Sequence, residues 1–126
     1  MGNLISMIYI LLFVLLPIIV LVVGIIFAMS PPQNINSIVG YRTSTSTKNN
    51  DTWVFAQKYS AKALLAIGVI TLALGLIVGI FLPTNVISVG VTLLVQIVLL
   101  ILVIPLTENA LKKNFDNAGN RKRQSQ

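Results

Sequence analysis

One short stretch, 36–53, is dense in residues able to bind or react. There Asn36, Tyr41, Arg42, Thr43, Ser46, Asn50 and Trp53 surround Gly40, which lends the backbone freedom just before the arginine. Arg42 carries a planar fork of donors suited to helix-end carbonyls, to the Glu108 carboxylate or to a lipid phosphate. It equally serves as one more cation flanking a membrane span. Trp53, the single tryptophan, reads either as an anchor at headgroup depth or as a side chain packed over the Gly40–Arg42 turn. Asn34, Asn36, Thr43 and Ser46 can bond nearby backbone and hold the segment in one shape. Ile35, Ile38, Val39 and Tyr41 give it an apolar side to lay against the membrane surface or the helix ends, whereas 44–50 has the composition of a disordered stretch.

The chemistry this inventory excludes is broad. There is no Cys and no His, so thiol redox chemistry, thiolate nucleophiles and imidazole metal ligands are absent. The three carboxylates, Asp51, Glu108 and Asp116, are not spaced as an acid/base couple. The chain is therefore not read as an enzyme, and no cofactor or metal is expected.

The elements that must position these residues are membrane helices. Of the 126 residues, 56% are hydrophobic, too many to hide inside so small a water-soluble core. Three uncharged apolar blocks, 4–29, 63–82 and 86–106, reach the roughly 20 residues a bilayer crossing takes. The expected architecture is an all-α integral membrane protein forming a single domain over 1–126. A motif loop occupies 30–62 and a basic tail 107–126. A cleavable signal peptide is rejected for the first block, which lacks a basic leader and runs too long. Met1–Ser6 matches the N-myristoylation pattern, but one acyl chain adds little to three spans.

All nine Lys and Arg residues lie either between the first two blocks or after the third. The positive-inside rule then puts loop and tail in the cytoplasm and the N-terminus outside. The net charge of +6 is explained by anionic lipid rather than by nucleic acid, which is not expected as a partner.

Within the spans, Pro17 should kink the first helix, and Gly24 with Ala28 gives it a small-residue patch. Gly75 and Gly79 form a small-xxx-small pair on the second, with Gly68 a heptad earlier, for packing within the bundle or, second, for a dimer seam. Counting from the turn Pro83–Asn85 puts Thr71 and Gln96 at one depth. Gln96 is expected to bond across to Thr71 or to a backbone carbonyl freed near Pro17. The second helix should begin ahead of its apolar run, capped by Asn50 or Asp51. Pro105 should close or kink the third. Beyond it, Leu106, Ala110, Leu111 and Phe115 suggest a short helix lying at the interface beside Lys112 and Lys113, followed by ten disordered residues.

The run Pro31-Pro32, Asn36, Val39-Gly40-Tyr41-Arg42-Thr43, Ser46, Asn50, Trp53 and Ala56, together with the tail Leu111–Gly119, resembles the SdpI/YfhL family. The resemblance covers roughly residues 30–119. It implies a bacterial inner-membrane protein, with Asn36, Gly40, Arg42, Thr43 and Trp53 as signature residues. The family takes its name from an immunity protein that guards producer cells against a secreted sporulation-delaying toxin. That protein carries an additional membrane half before the shared region and is linked to capture of a transcriptional repressor at the membrane. The function implied is binding of a membrane-active peptide toxin, a lipid or a cytoplasmic regulator, in a chain that could self-associate. A holin-like pore former also fits the length and topology, but a holin needs only a short connector. A channel or transporter would need more ionisable residues within its spans.

Overall fold

The computed structural model describes residues 2–122, and among them the regular elements are all helices, apart from one isolated bridge between Phe115 and Arg121. Helix α1 is Gly2–Met29, α2 is Asn50–Phe81, α3 is Val86–Ile101 and α4 is Val103–Asn114. Three helical stretches are long and apolar enough to cross a membrane: Leu4–Met29, Asn50–Phe81 and Val86–Asn114. Their outer faces expose a continuous aliphatic surface, including Leu11 and Ile18 on α1, Val69 and Ile77 on α2, and Leu94 and Ile101 on α3. In water such a surface would be an aggregation liability; in lipid it is the solvated side.

Helix α1 stops because Pro31 and Pro32 offer no amide to continue it. Helix α2 begins earlier than its apolar run. Its N-cap is Asn49, not Asn50 or Asp51: the Asn49 side chain accepts from the Thr52 amide while the Thr52 hydroxyl accepts from the Asn49 amide. At 32 residues and 1.5 Å per residue α2 is about 48 Å long, against about 30 Å of hydrocarbon. One end therefore projects beyond the bilayer core, and the loop it leaves shrinks from the expected 30–62 to 30–49. The third span is interrupted at Leu102, which is the kink expected of Pro105. Pro105 lacks the N–H that the Ile101 carbonyl would take, and the Leu102 amide turns back to Leu99 at 3.1 Å.

The α1–α2 seam is built on small residues. A side chain at Gly75 would meet the Phe13 carbonyl at 2.6 Å, one at Gly68 the Leu21 side chain at 2.7 Å, and one at Gly79 Ile10 at 3.0 Å. Phe13 and Pro17 are fully buried there. Gln96, also fully buried, ties the third helix to this seam. Its Nε2 donates to the Phe13 carbonyl at 2.9 Å and to the Thr71 carbonyl at 3.1 Å. Phe13 lies four residues before Pro17, so its carbonyl has lost its helical donor. The Thr71 hydroxyl takes no part, bonding back to Ile67 at 2.9 Å. Gln96→Leu should destabilise the bundle by about 0.6–2 kcal/mol, read as a lower melting temperature in detergent; an unchanged midpoint would show that the bond contributes nothing net.

Candidate functional site

At the end of the bundle where α2 projects, the connection 30–49 is a folded cap rather than a slack tether. It begins with Asn36, whose Oδ1 accepts from the amides of Ile38 at 3.0 Å and Val39 at 2.7 Å. This is the turn that asparagine side chains favour because they imitate a peptide carbonyl. Gly40 follows with φ +108, where a Cβ would also stand 2.6 Å from Gln57 Oε1. Glycine is therefore required there on two counts. The turn delivers Tyr41 to α2. Gln57 receives the Tyr41 amide on Oε1 and donates Nε2 to the Tyr41 carbonyl, both at 2.8 Å. One buried side chain thus pairs with both main-chain groups of a loop residue, as a neighbouring strand would.

The Tyr41 hydroxyl reaches the other way. It donates to Glu108 Oε1 at 2.7 Å and lies 3.2 Å from the Ile104 carbonyl. Burial, and then the Glu108 carboxylate it donates to, hold this phenol well above the usual tyrosine range, so it remains a donor. Glu108 is thus engaged by Tyr41. Arg42 does not reach it: its Nε donates to the Asn36 carbonyl at 2.7 Å, closing the Asn36 turn. Arg42 is exposed, and its terminal guanidinium nitrogens have no protein hydrogen bond among the described residues.

The stretch 44–50 is ordered by side chains despite its composition. Thr43 and Ser46 bond each other's amides, at 2.8 and 3.1 Å. The Thr52 hydroxyl accepts from Asn49 and lies 3.0 Å from the buried Ser46 carbonyl. Trp53 is not a headgroup anchor. It is 0% exposed, and its Nε1 donates to the Pro32 carbonyl at 2.8 Å, fastening the chain just after α1 to the first turns of α2.

Helix α4 and the tail complete the cap. Leu111 and Phe115 pack with Ala56 of α2, and Tyr41 and Phe55 flank them. The stripe expected to lie on the bilayer is thus used inside the protein, except for Leu106, which is exposed. The tail through residue 122 is folded, contrary to the disorder expected of it. The Asp116 amide donates to the Asn120 carbonyl and the Lys122 amide to the Asn114 carbonyl, while Arg121 stacks over Phe115 at 4.9 Å. The turn then docks on the cap, with Asn49 Nδ2 donating to the Gly119 carbonyl and Lys48 Nζ to the Asn117 carbonyl, both at 2.6 Å. The end of the tail, including Arg123, lies outside the described residues.

The cap brings Asn36, Gly40, Tyr41, Arg42, Thr43, Ser46 and Trp53 together; Asn50 sits apart, exposed at the start of α2. Gly68, Thr71, Gly75, Gly79 and Gln96 belong to the seam below. Sequence reasoning passed over Gln57, Asn49 and Lys48. For Gln57 a signal existed: it lies four residues after Trp53, one turn along the same helical face. The three carboxylates do not meet. Asp116 accepts from the Ala118 and Asn120 amides, and Asp51 stands exposed in the first turn of α2.

A bundle of three membrane-length helices, closed at one end by a cap that one helix, one loop and the tail build together, defines a small multi-pass membrane protein. Its family follows from comparison: residues 33–107 match the model of the SdpI/YfhL protein family, and the chain belongs to that family. It is 36% identical over 59 residues to the uncharacterised protein YfhL of Bacillus subtilis (strain 168). That match covers 47% of this chain and 54% of the relative, so the chain spans about half the length of the curated relative it matches. No solved structure matches it.

Proposed function

We propose that the protein works by binding rather than catalysis, and that it protects a bacterial cell against a membrane-active peptide through the cap. The carrying observation is Arg42: its Nε is fixed by the Asn36 carbonyl at 2.7 Å on a loop clamped by Gln57 and Trp53. A guanidinium held this way is preorganised to receive a carboxylate or phosphate at little further cost in order. The positive-inside distribution of charge favours an inner-membrane orientation with cap and tail in the cytoplasm and the N-terminus outside. A peptide inserting through the hydrocarbon would meet the cap from within the membrane, and membrane lipid or a cytoplasmic regulator would find the same surface.

The test is a killing assay in a sensitive bacterium carrying the wild type, Arg42→Ala or Arg42→Lys, at matched membrane levels and against a panel of membrane-active peptides. Wild type should raise survival against at least one of them. Arg42→Ala, losing a charge-assisted bond of about 1.5–3 kcal/mol, should weaken binding about tenfold or more and drop survival towards that of cells lacking the protein. Arg42→Lys should recover part of the protection, since it restores the charge without the fork. No protection by well-inserted wild type against any peptide would sink the proposal.

A further inference from the structure

At the start of the cap, lined by residues other than Arg42, lies a second feature with a chemistry of its own. A cavity of about 350 Å³ opens between the segment after α1 and the first turns of α2, at the small end of the roughly 300–1,000 Å³ found for ligand pockets. Pro31 and Pro32 form its rigid wall, with Gln33 and Asn34 beyond them. Asn50, Val54 and Lys58 face them along one side of α2. No carboxylate lines it. Gln57, also at the cavity, spends its amide on Tyr41, and the Pro32 carbonyl is taken by Trp53. The side chains of Gln33, Asn34, Asn50 and Lys58 have no hydrogen-bond partner among the described residues. What remains open is one ammonium and three amides, a set that suits an anion with several acceptor oxygens.

The cavity's depth says which anion. It begins immediately after the end of α1 at Met29, and Lys58 stands one turn before Lys62, where the apolar run of α2 starts. With the hydrocarbon taken to end where these apolar runs end, the Lys58 end of the cavity falls at headgroup level. The last turns of α1, leading straight into the proline wall, expose Ile25, Ile26 and Met29 at 48%, 54% and 81%. An anion-binding hollow continuous with apolar surface fits an amphiphile whose charge and chains lie at those two levels. We infer that this cavity seats the phosphate headgroup of an anionic phospholipid, with Lys58 as its cation and Asn34 and Asn50 as donors to its oxygens.

The experiment uses the full chain in nanodiscs of mixed phosphatidylcholine and phosphatidylglycerol, followed by native mass spectrometry of the lipids each protein retains. Wild type should keep phosphatidylglycerol in preference to phosphatidylcholine, with one molecule held most firmly. Lys58→Gln should reduce that retention about tenfold, while Lys62→Gln, a cation of equal charge outside the cavity, should leave it in place. Equal retention of the two lipids, or equal loss in both variants, would mean diffuse attraction to a basic surface and would overturn the site. A separate arm offers inorganic phosphate to lipid-free protein. A phosphate adduct removed by Lys58→Gln, without retention of phosphatidylglycerol, would assign the cavity to a soluble anion and overturn the lipid. None of these readouts depends on the killing assay, so the two proposals stand or fall separately.

Discussion

Gly75→Leu should lower the melting temperature of the detergent-solubilised protein more than Gly68→Leu does, while Gly90→Leu should leave it nearly unchanged. The ranking follows from what a new side chain meets at each place. At Gly75 the first atom met is the Phe13 carbonyl oxygen at 2.6 Å, with Gln96 Nε2 at 3.1 Å. A main-chain oxygen cannot rotate aside, so α1 must move away from α2. That displacement also pulls the Phe13 carbonyl from Gln96 and leaves a polar group unpaired in the apolar interior. At Gly68 the obstacle is the Leu21 side chain at 2.7 Å, which has other rotamers. At Gly90 nothing lies within 4 Å, and the residue is exposed to lipid. Overpacking typically costs about 1–3 kcal/mol; Gly75→Leu should reach the top of that range and add the lost Gln96 bond of about 0.6–2 kcal/mol. Equal melting temperatures for Gly75→Leu and Gly90→Leu would show that the seam is loose enough to absorb a leucine, contrary to the close approach described.

What could be read before any coordinates separates along a physical line. The membrane-spanning helices are legible because lipid imposes one rule on every residue of a span: main-chain groups bonded within the helix, side chains apolar. Pro17 likewise announces which carbonyl loses its donor. It does not say whether Gln96 reaches that carbonyl or Thr71; one amide nitrogen serves both main-chain oxygens. The cap obeys no such uniform rule. Residues 44–50 and 117–122 look disordered because each is polar and short of apolar anchors. Their order comes from bonds to one another, as between Asn49 and Gly119, 70 residues apart. Composition is blind to a partner that far along the chain. Trp53 misleads for a related reason. Aromatic residues beside spans usually sit among headgroups, and only the fold of 31–41 over α2 buries this one. Gln57 is the sharpest case, a polar residue on a projecting helix that reads as solvated surface until Gly40 brings Tyr41 against it.

Trp53→Ala should open the cap without dissolving the bundle. Trp53 is among the largest fully buried side chains of the protein, and removing such a ring costs about 3–5 kcal/mol. The Pro32 carbonyl would then need water for a donor, and water entering there would reach the Gln57–Tyr41 pairing beside it. The α1–α2 seam is built from other residues, Phe13, Leu21, Gly68 and Gly75, so the spans should hold. Amide hydrogen exchange over 36–47 should accelerate by about 100-fold or more, while amides around Thr71 and Gln96 keep their protection. Trp53→Phe, which retains most of the volume but gives up the indole donor, should fall between the two. Loss of protection throughout the chain would mean that cap and bundle unfold as one unit; unchanged exchange over 36–47 would mean that Trp53 does not hold the loop. The separation matters for function because the cap can then fail while the protein remains inserted. In the killing assay Trp53→Ala should lose survival as Arg42→Ala does, although its guanidinium is intact, because a fork on a mobile loop must be ordered again each time it binds.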